Sequence, residues 1–513
     1  MPLFAPPYNL IIPIVLIGAA LRLYHLGEPS LWYDEAASVC LAQQHVDFTL
    51  ASIGPDKNTD PPLFLYVVRG WDALTGLASS DVTSVTHDFL LRLLPCLAGV
   101  VCIALVFLLT RVLTDDYTIS AIAAFLCAIS PFQVYYAQEL RTHTIYTGLC
   151  LLTVYATINA LRDNKLRHWI SITIFMSMMM YLHYASLWFI AAVNVYCLLT
   201  FKTHRARLRP WIISQSAVLA MILPALLTAS HISTYFENIK YNWFPVPTVK
   251  TALITFKTFF AGYSPNVAAY WFLCLAAAAL TGYGCYTYRK HWDRLTLLLS
   301  LLLVPITASL IIWNITFPMY EHRLFIFSGA IACILVAIGL KHLPKRLSYL
   351  ALAAFTVATI PCLADVYAHR LHPIEAHRIG VWDKVQVREA AAFINAHAQP
   401  GDCLGHPSHF TWYSFRHYCP LPQMILAYTE ADLTAMVDTF GCESVLRENK
   451  MMPQLIGNAA HSAERIWLAD ASGLVFHPPE RVAQYRAWLE AHGTLELSKN
   501  FDKISVSCYR IHK

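Results

Sequence analysis

The sequence predicts an all-α polytopic membrane domain of about eleven transmembrane helices, followed by a C-terminal α+β domain outside the membrane. Three observations predict it. Of 513 residues, 57% are hydrophobic and only 13% charged, where a soluble globular chain carries about 25% charged residues. Apolar windows long enough to cross a hydrocarbon core of roughly 30 Å recur from Asn9 to Ala364. From about Asp365 the apolar runs shorten, and charges, histidines and prolines return at the density of a soluble domain.

The first helix reads as Leu10 to Leu23. No Lys or Arg precedes it and no small-residue cleavage site clearly follows, so it is expected to be retained. Further spans are expected at about 90–110, 118–137, 142–160, 169–183, 185–201, 211–230, 266–288, 295–313, 323–340 and 347–365. With the N-terminus inside, the cytoplasmic connections carry Arg111; Arg162, Lys165 and Arg167; Lys202, Arg205, Arg207 and Arg209; Arg289, Lys290 and Arg294; and Lys341, Lys345 and Arg346. The opposite connections are longer yet poorer in base, as the positive-inside rule requires. An odd number of spans puts the tail outside. The pair 169–183 and 185–201, joined at Leu182, His183 and Tyr184, decides this, because one span there would invert everything downstream; the later basic loops argue for two.

The expected domains are therefore 1–365, with a first outer loop at 25–89, and 366–513. In the tail, VREAAAFINAHAQPGD reads as an amphipathic helix stopped by a Pro-Gly turn, and RIWLAD and KISVSCYRI read as strands. The net charge of +5 gives no electrostatic support to a nucleic-acid partner. Ten of the 14 cysteines lie in or beside the hydrophobic region, as small buried hydrophobes. Cys403, Cys419, Cys442 and Cys508 lie in the tail, where an oxidising compartment leaves one or two disulfides open to them, with the pairing not fixed by sequence. No CxxC, HExxH or clustered His/Cys spacing marks a zinc site.

Four chain-distant stretches carry groups capable of chemistry. In LRLYHLGEPSLWYDEAAS, Asp34 and Glu35 sit side by side where the first helix should leave the bilayer; acids at a membrane boundary are costly to desolvate, although a solvated loop acid or helix N-cap would look the same. The same loop continues to NTDPPLFLYVVRGW, where Asp60 precedes paired prolines. SPFQVYYAQELRTHTIY packs Gln138, Glu139, Arg141 and His143 into six residues, and Glu139 and Arg141, two apart, would not face each other on a regular helix. His183 in YLHYASLWF, and Glu321, His322 and Arg323 in MYEHRLFIF, fall at outer helix ends in the same topology. All four groups are expected on one face of the membrane.

These motifs resemble those of the GT-C glycosyltransferases that use polyprenyl-phosphate sugars, among them family 39 protein O-mannosyltransferases, lipid A aminoarabinose transferases and related lipopolysaccharide-core transferases. SLWYDEAAS is similar to their first-loop Asp-Glu signature, DPPLFLY to their Pro-Pro-Leu-aromatic motif, SPFQVYYAQELR to their Ser-Pro-Phe, Gln-Glu and Arg segment, and HRLFIF to a late Arg segment. Leu324 stands where the family often has Tyr, and Asp60 where many members have His. The resemblance covers roughly residues 10–365 and implies a GT-C-like fold.

It implies single-displacement, inverting transfer of a sugar from a polyprenyl-phosphate donor to a hydroxyl of a lipid, glycan or protein acceptor. That chemistry needs a carboxylate to take the hydroxyl proton and positive charge to meet the phosphate. Asp34 is assigned as general base, with Glu35 orienting the acceptor or the loop. Glu139 is assigned to sugar hydroxyls, Arg323 and then Arg141 to the donor phosphate, and His143, His183 and Asp60 to further substrate contacts. No cofactor is required; a divalent metal is compatible with a single phosphate but not demanded by it. The expected setting is a bacterial inner membrane, with membrane lipids around the helices and the site and tail extracytoplasmic. A transporter or lipid flippase is the competing class, but no internal repeat supports it.

Overall fold

The computed structural model describes residues 10–43, 61–77, 81–238, 246–313, 320–440, 447, 451–471 and 479–512. Its first part is helical: α1 (Ile11–Leu23), α2 (Tyr33–Ala42), α3 (Pro62–Thr75), α4 (Val85–Thr114), α5 (Tyr117–Ile129), α6 (Pro131–Ala137), α7 (His143–Asp163), α8 (Leu166–Leu182), α9 (Ser186–Leu199), α10 (Leu208–Asn238), α11 (Val249–Ala261), α12 (Val267–Tyr288), α13 (Trp292–Trp313), α14 (Ile326–His342) and α15 (Lys345–Tyr367). Every span expected from the sequence falls on a helix. Among the described residues seven helices are long and apolar enough to cross a membrane, or eight if the bent pair α5 and α6 is one span; α1 and α9 are shorter apolar helices. The chain is an integral membrane protein.

Two compact units form, one from 1–25, 92–226 and 242–382, the other from 26–91, 227–241 and 383–513. In the first, α14 is the pillar. Every residue from Ile326 to Leu340 is buried, as expected of a helix apolar on all sides. Its contact with α12 is backbone-close: a Cβ on Gly339 would lie 2.1 Å from the Leu280 carbonyl oxygen, and one on Gly284 2.5 Å from that of Leu335. Small residues permit such approach in a bilayer, where apolar side chains gain nothing by leaving lipid. The outward faces of α10, α12 and α15 expose Ile213, Leu219 and Leu223, Phe272 and Leu275, and Leu350, Val357 and Ile360; lipid is the solvent that suits an apolar surface of this extent.

The α8–α9 corner is a true break. His183 is extended (φ −162°, ψ 125°), its Nδ1 accepts from the Ala185 N–H at 3.1 Å, and Ser186 Oγ lies 2.7 Å from the Met179 carbonyl and 2.6 Å from that of His183. Side-chain groups thus occupy backbone positions that a continuous helix would have used.

In the second unit, the tail alternates helix and strand: α16 (Val387–His397), β1 (Asp402–His406), α17 (His409–Tyr418), β2 (Gln423–Ala427), α18 (Glu430–Phe440), β3 (Gln454–Leu455), α19 (Ile456–Ser462), β4 (Arg465–Asp470), α20 (Pro479–His492), β5 (Gly493–Phe501) and β6 (Ile504–Ile511). The sheet order is β3-β2-β1-β4-β6-β5. β3, β2, β1 and β4 pair in parallel, while β6 runs antiparallel to β4 and β5. The expected helix and both strand segments of the α+β tail are present. Helices alternate with the parallel strands, an α/β arrangement extended by a hairpin, because parallel neighbours require crossovers. Leu426, Ile466, Leu468, Tyr485, Leu489 and Tyr509 share the core.

Asp402 and Arg465 are register partners on β1 and β4. Asp402 accepts from Arg465 Nε (2.8 Å) and Nη2 (2.7 Å), from Trp467 Nε1 (2.9 Å) and from the Gln399 N–H (2.9 Å). Burial alone would raise this carboxyl; the four donors outweigh it and hold the group below the usual carboxylate range.

The first loop folds with this tail. Arg388 on α16 donates to the carbonyls of Gly27 (3.1 Å) and Glu28 (2.7 Å), Ser30 Oγ donates to Glu389 (3.0 Å), and the Leu31 N–H donates to Tyr418 Oη (2.7 Å). Cys403, Cys419 and Cys508 are buried free thiols, so the disulfides open to the tail do not form among the described residues; Cys442 lies outside them.

Candidate functional site

The first unit builds its polar centre around a break in one span. α5 and α6 meet at 59°, where Pro131 lacks the N–H that would bond back to Cys127. Ser130 caps the new start, accepting from the Gln133 N–H at 3.3 Å and donating to the Phe259 carbonyl at 2.9 Å, with Pro131 at the favoured first position. Arg22 of α1 answers the freed α5 carbonyls: its guanidinium donates to Ala128 (2.9 Å), Cys127 (3.2 Å) and Gly18 (3.1 Å). Gly99 makes room, since a Cβ there would lie 3.2 Å from Arg22 Nε.

The break ends α6 in the turn Gln138–Thr142. Gln138 is structural: its amide donates to the carbonyls of Arg22 (3.0 Å) and Tyr24 (2.7 Å) at the end of α1. Glu139 and His143 are buried, and Arg141 is half-buried. The His143 ring lies 6.0 Å from His183 and packs edge-on against Tyr136 at 4.9 Å; its Nε2 has no hydrogen-bond partner among the described residues. Arg323 and Arg141 act electrostatically on both imidazoles. Glu139, Arg323 and Glu321 act on Tyr263, whose hydroxyl meets that of Tyr136 at 2.6 Å.

Arg323 is engaged. Its Nε and Nη2 form a two-point pair with the Glu321 carboxylate, the Nη2 bond being 3.0 Å. Gly380, at φ +74°, passes so near this carboxylate that a Cβ would lie 2.7 Å from Glu321 Cδ. Three of the four expected stretches therefore meet in the first unit.

Asp34 and Glu35 belong to the second unit, in the first turn of α2. Glu35 is fully buried. Its Oε2 accepts from the Trp32 N–H at 3.3 Å, at the N-terminus of α2, and lies 4.0 Å from Lys384 Nζ. Asp34 is half-buried and its carbonyl accepts from Ser38 Oγ at 2.8 Å. Asp60 lies outside the described residues.

A basic patch in the first unit lies outside the motifs that the sequence singles out. Lys257 on α11 is buried, donates to the Gly262 carbonyl (3.4 Å) and lies 4.7 Å over the Tyr270 ring; burial pushes its ammonium down to about 8. His372 and His377 stack at 4.1 Å, and burial together with Lys257 pushes His377 down to about 4. His322 is fixed structurally, with Nδ1 3.0 Å from Thr255 Oγ1 and Nε2 3.3 Å from the Ala376 carbonyl. The only sequence signal for this patch was an unpaired lysine in the apolar run ALITFKTFF.

With this geometry in hand, comparison with known proteins identifies the fold. The profile of the dolichyl-phosphate-mannose-protein mannosyltransferase family matches residues 60–229. No curated protein matches the chain in sequence. ArnT from Cupriavidus metallidurans, at 12% identity, superposes over 98% of both chains, with TM-scores of 0.65 in the apo state and 0.64 (bound to undecaprenyl phosphate). The Archaeoglobus fulgidus oligosaccharyltransferase, also 12% identical, aligns over 98% of this chain and 75% of its own with a TM-score of 0.53.

Proposed function

We propose that this chain, which has the GT-C fold its motifs resemble, transfers a sugar from a polyprenyl-phosphate donor to a hydroxyl of an envelope acceptor at the outer face of the membrane. The observation that carries the reading is the first unit's cluster of Glu139, Arg141, His143, His183 and Arg323, gathered from three helix ends in a fold shared with a protein solved bound to undecaprenyl phosphate. A donor with a long isoprenoid tail must lie in the bilayer, so its head group has to be met by side chains at helix ends.

The roles follow from charge and donor chemistry. Arg323 receives the phosphate, which takes the guanidinium fork from Glu321, and Arg141 adds positive charge beside it. Glu139 and the two imidazoles bind sugar hydroxyls, His143 through the Nε2 that has no hydrogen-bond partner among the described residues. Asp34 takes the proton from the acceptor hydroxyl as its oxygen attacks the anomeric carbon and the polyprenyl phosphate departs. Glu35, committed to the α2 cap, holds the backbone that presents Asp34. These groups meet the needs of the displacement without a cofactor.

The test is transfer by purified wild type and Asp34→Asn, with polyprenyl-phosphate sugars and lipid, glycan and protein acceptors. Wild type should form a glycosidic bond and the variant should be slower by about 10²–10⁴-fold, the contribution of a positioned base. Equal rates would remove Asp34 from the mechanism. Movement of the donor across a proteoliposome bilayer without bond formation would replace the transferase with a flippase.

A further inference from the structure

One cluster lies outside the residues used above and is built wholly within the second unit. His87 and Asp88 stand in the first turn of α4, and His417 near the end of α17. His87 and Asp88 are buried, 4% and 0% exposed. His87 Nδ1, Asp88 Oδ1 and His417 Nε2 are each shielded from solvent and, among the described residues, each without a hydrogen-bond partner, and each of the three residues offers a ligand atom within 4.8 Å of those of the other two. Buried polar atoms are nearly always bonded. Three clustered residues, each with an unbonded buried polar atom, call for a common partner.

They do not satisfy each other. His87 Nδ1 and Asp88 Oδ1 are 3.9 Å apart, beyond the roughly 2.7–3.2 Å of an N–H···O bond. Nor is the carboxylate adrift: its other oxygen accepts from Arg388 Nη1 at 2.6 Å and Tyr418 Oη at 2.7 Å, which aims Oδ1 at the imidazoles. Arg388 is itself anchored by the Gly27 and Glu28 carbonyls, and its charge is balanced further by Glu389 at 2.9 Å. Such outer partners are what orient a carboxylate ligand. The two imidazole rings lie 5.2 Å apart at 42°.

We infer that His87, Asp88 and His417 form a binding site for a divalent transition metal, zinc above all, that ties the start of α4 to tail helix α17. Two imidazole nitrogens and one carboxylate oxygen suit zinc and its neighbours, whereas magnesium and calcium prefer all-oxygen shells. Around a tetrahedral ion with bonds of about 2.0–2.1 Å, ligand atoms stand about 3.3–3.5 Å apart, so the observed separations close by small side-chain rotations. The fourth position is left for water. No sequence spacing announced the site, because its ligands come from opposite ends of the second unit's chain.

The test uses full-length protein in nanodiscs with no polyhistidine tag, stripped with a chelator, loaded with zinc and freed of excess, then assayed for metal by mass spectrometry. Wild type should retain one zinc per chain and gain thermal stability on loading. His87→Gln and His417→Gln should lose both effects while remaining folded. If the variants fold poorly, cobalt replaces zinc in wild type, where a tetrahedral visible spectrum with nitrogen ligands is the expected signature. Folded wild type without stoichiometric metal, retention undiminished in both variants, or a cobalt spectrum lacking nitrogen ligands would overturn the inference and leave a bridging water at the cluster.

Discussion

The pair Arg323–Glu321 allows the donor-phosphate assignment to be tested apart from stability. Both side chains are mostly out of water, at 15% and 7% exposure. Removing one partner of a buried pair costs about 3–5 kcal/mol, chiefly because the other charge is stranded. Arg323→Ala should therefore lower the melting temperature, and so should Glu321→Ala. The double variant removes both members of the pair and should recover part of that loss. Donor binding follows a different pattern. A hydrogen bond to a charged group is worth about 1.5–3 kcal/mol, so loss of the fork should weaken the affinity for undecaprenyl phosphate by about 10- to 150-fold. Glu321→Ala removes the carboxylate that competes for Arg323 and should tighten binding instead. Titrating undecaprenyl phosphate into nanodisc-embedded variants, followed by tryptophan fluorescence, reads affinity independently of melting. A double variant that recovers stability yet binds the lipid phosphate as tightly as wild type would refute the role given to Arg323.

Further predictions concern packing and charge. Lys257 titrates at about 8 in the folded chain against an ordinary 10.5, so the unfolded state holds more protons between those values and stability should rise with pH across that window; Lys257→Met should flatten the rise in melting scans. Arg465→Leu strands the buried Asp402 and should cost the tail about 3–5 kcal/mol, seen as early proteolysis of the tail, with Asp402→Leu/Arg465→Leu largely restoring resistance. Gly339→Val places a branched side chain where even a Cβ meets the Leu280 carbonyl at 2.1 Å; strain of at least about 1–3 kcal/mol should appear as a lowered melting temperature, and unchanged melting would mean that α12 and α14 can separate freely.

Much of the membrane domain was legible because its signal is local. Apolar windows and basic loops mark the helices, and each expected span has a helix beneath it. The bend inside the 118–137 window was not foreseen, although Ser130 and Pro131 carry its chemistry: hydropathy does not register a missing N–H. The pairing of Glu321 with Arg323 was also hidden. On a helix residues two apart diverge, but Glu321 is extended (φ −131°, ψ 143°), and in extended backbone such residues share a face. Glu35 read as a helper to Asp34 because adjacent acids look alike in sequence; only the capping geometry separates them. The union of the first loop with the tail, through Arg388 and Tyr418, rests on pairings between distant segments that no local pattern records.

Arg22 has a consequence for the order in which the protein is made. α1 leaves the ribosome well before α5, and until α5 is in place its guanidinium lacks the Cys127 and Ala128 carbonyls that receive it. An arginine within an isolated helix raises insertion cost by up to about 2.5–3.5 kcal/mol at the bilayer centre, so the newborn α1 is a poorly committed segment. The arrival of α5 supplies the acceptors, the Cys127 carbonyl that Pro131 leaves without its helical donor and the Ala128 carbonyl beside it. The interruption in the later helix thereby offers the earlier helix the acceptors that its arginine needs inside the membrane.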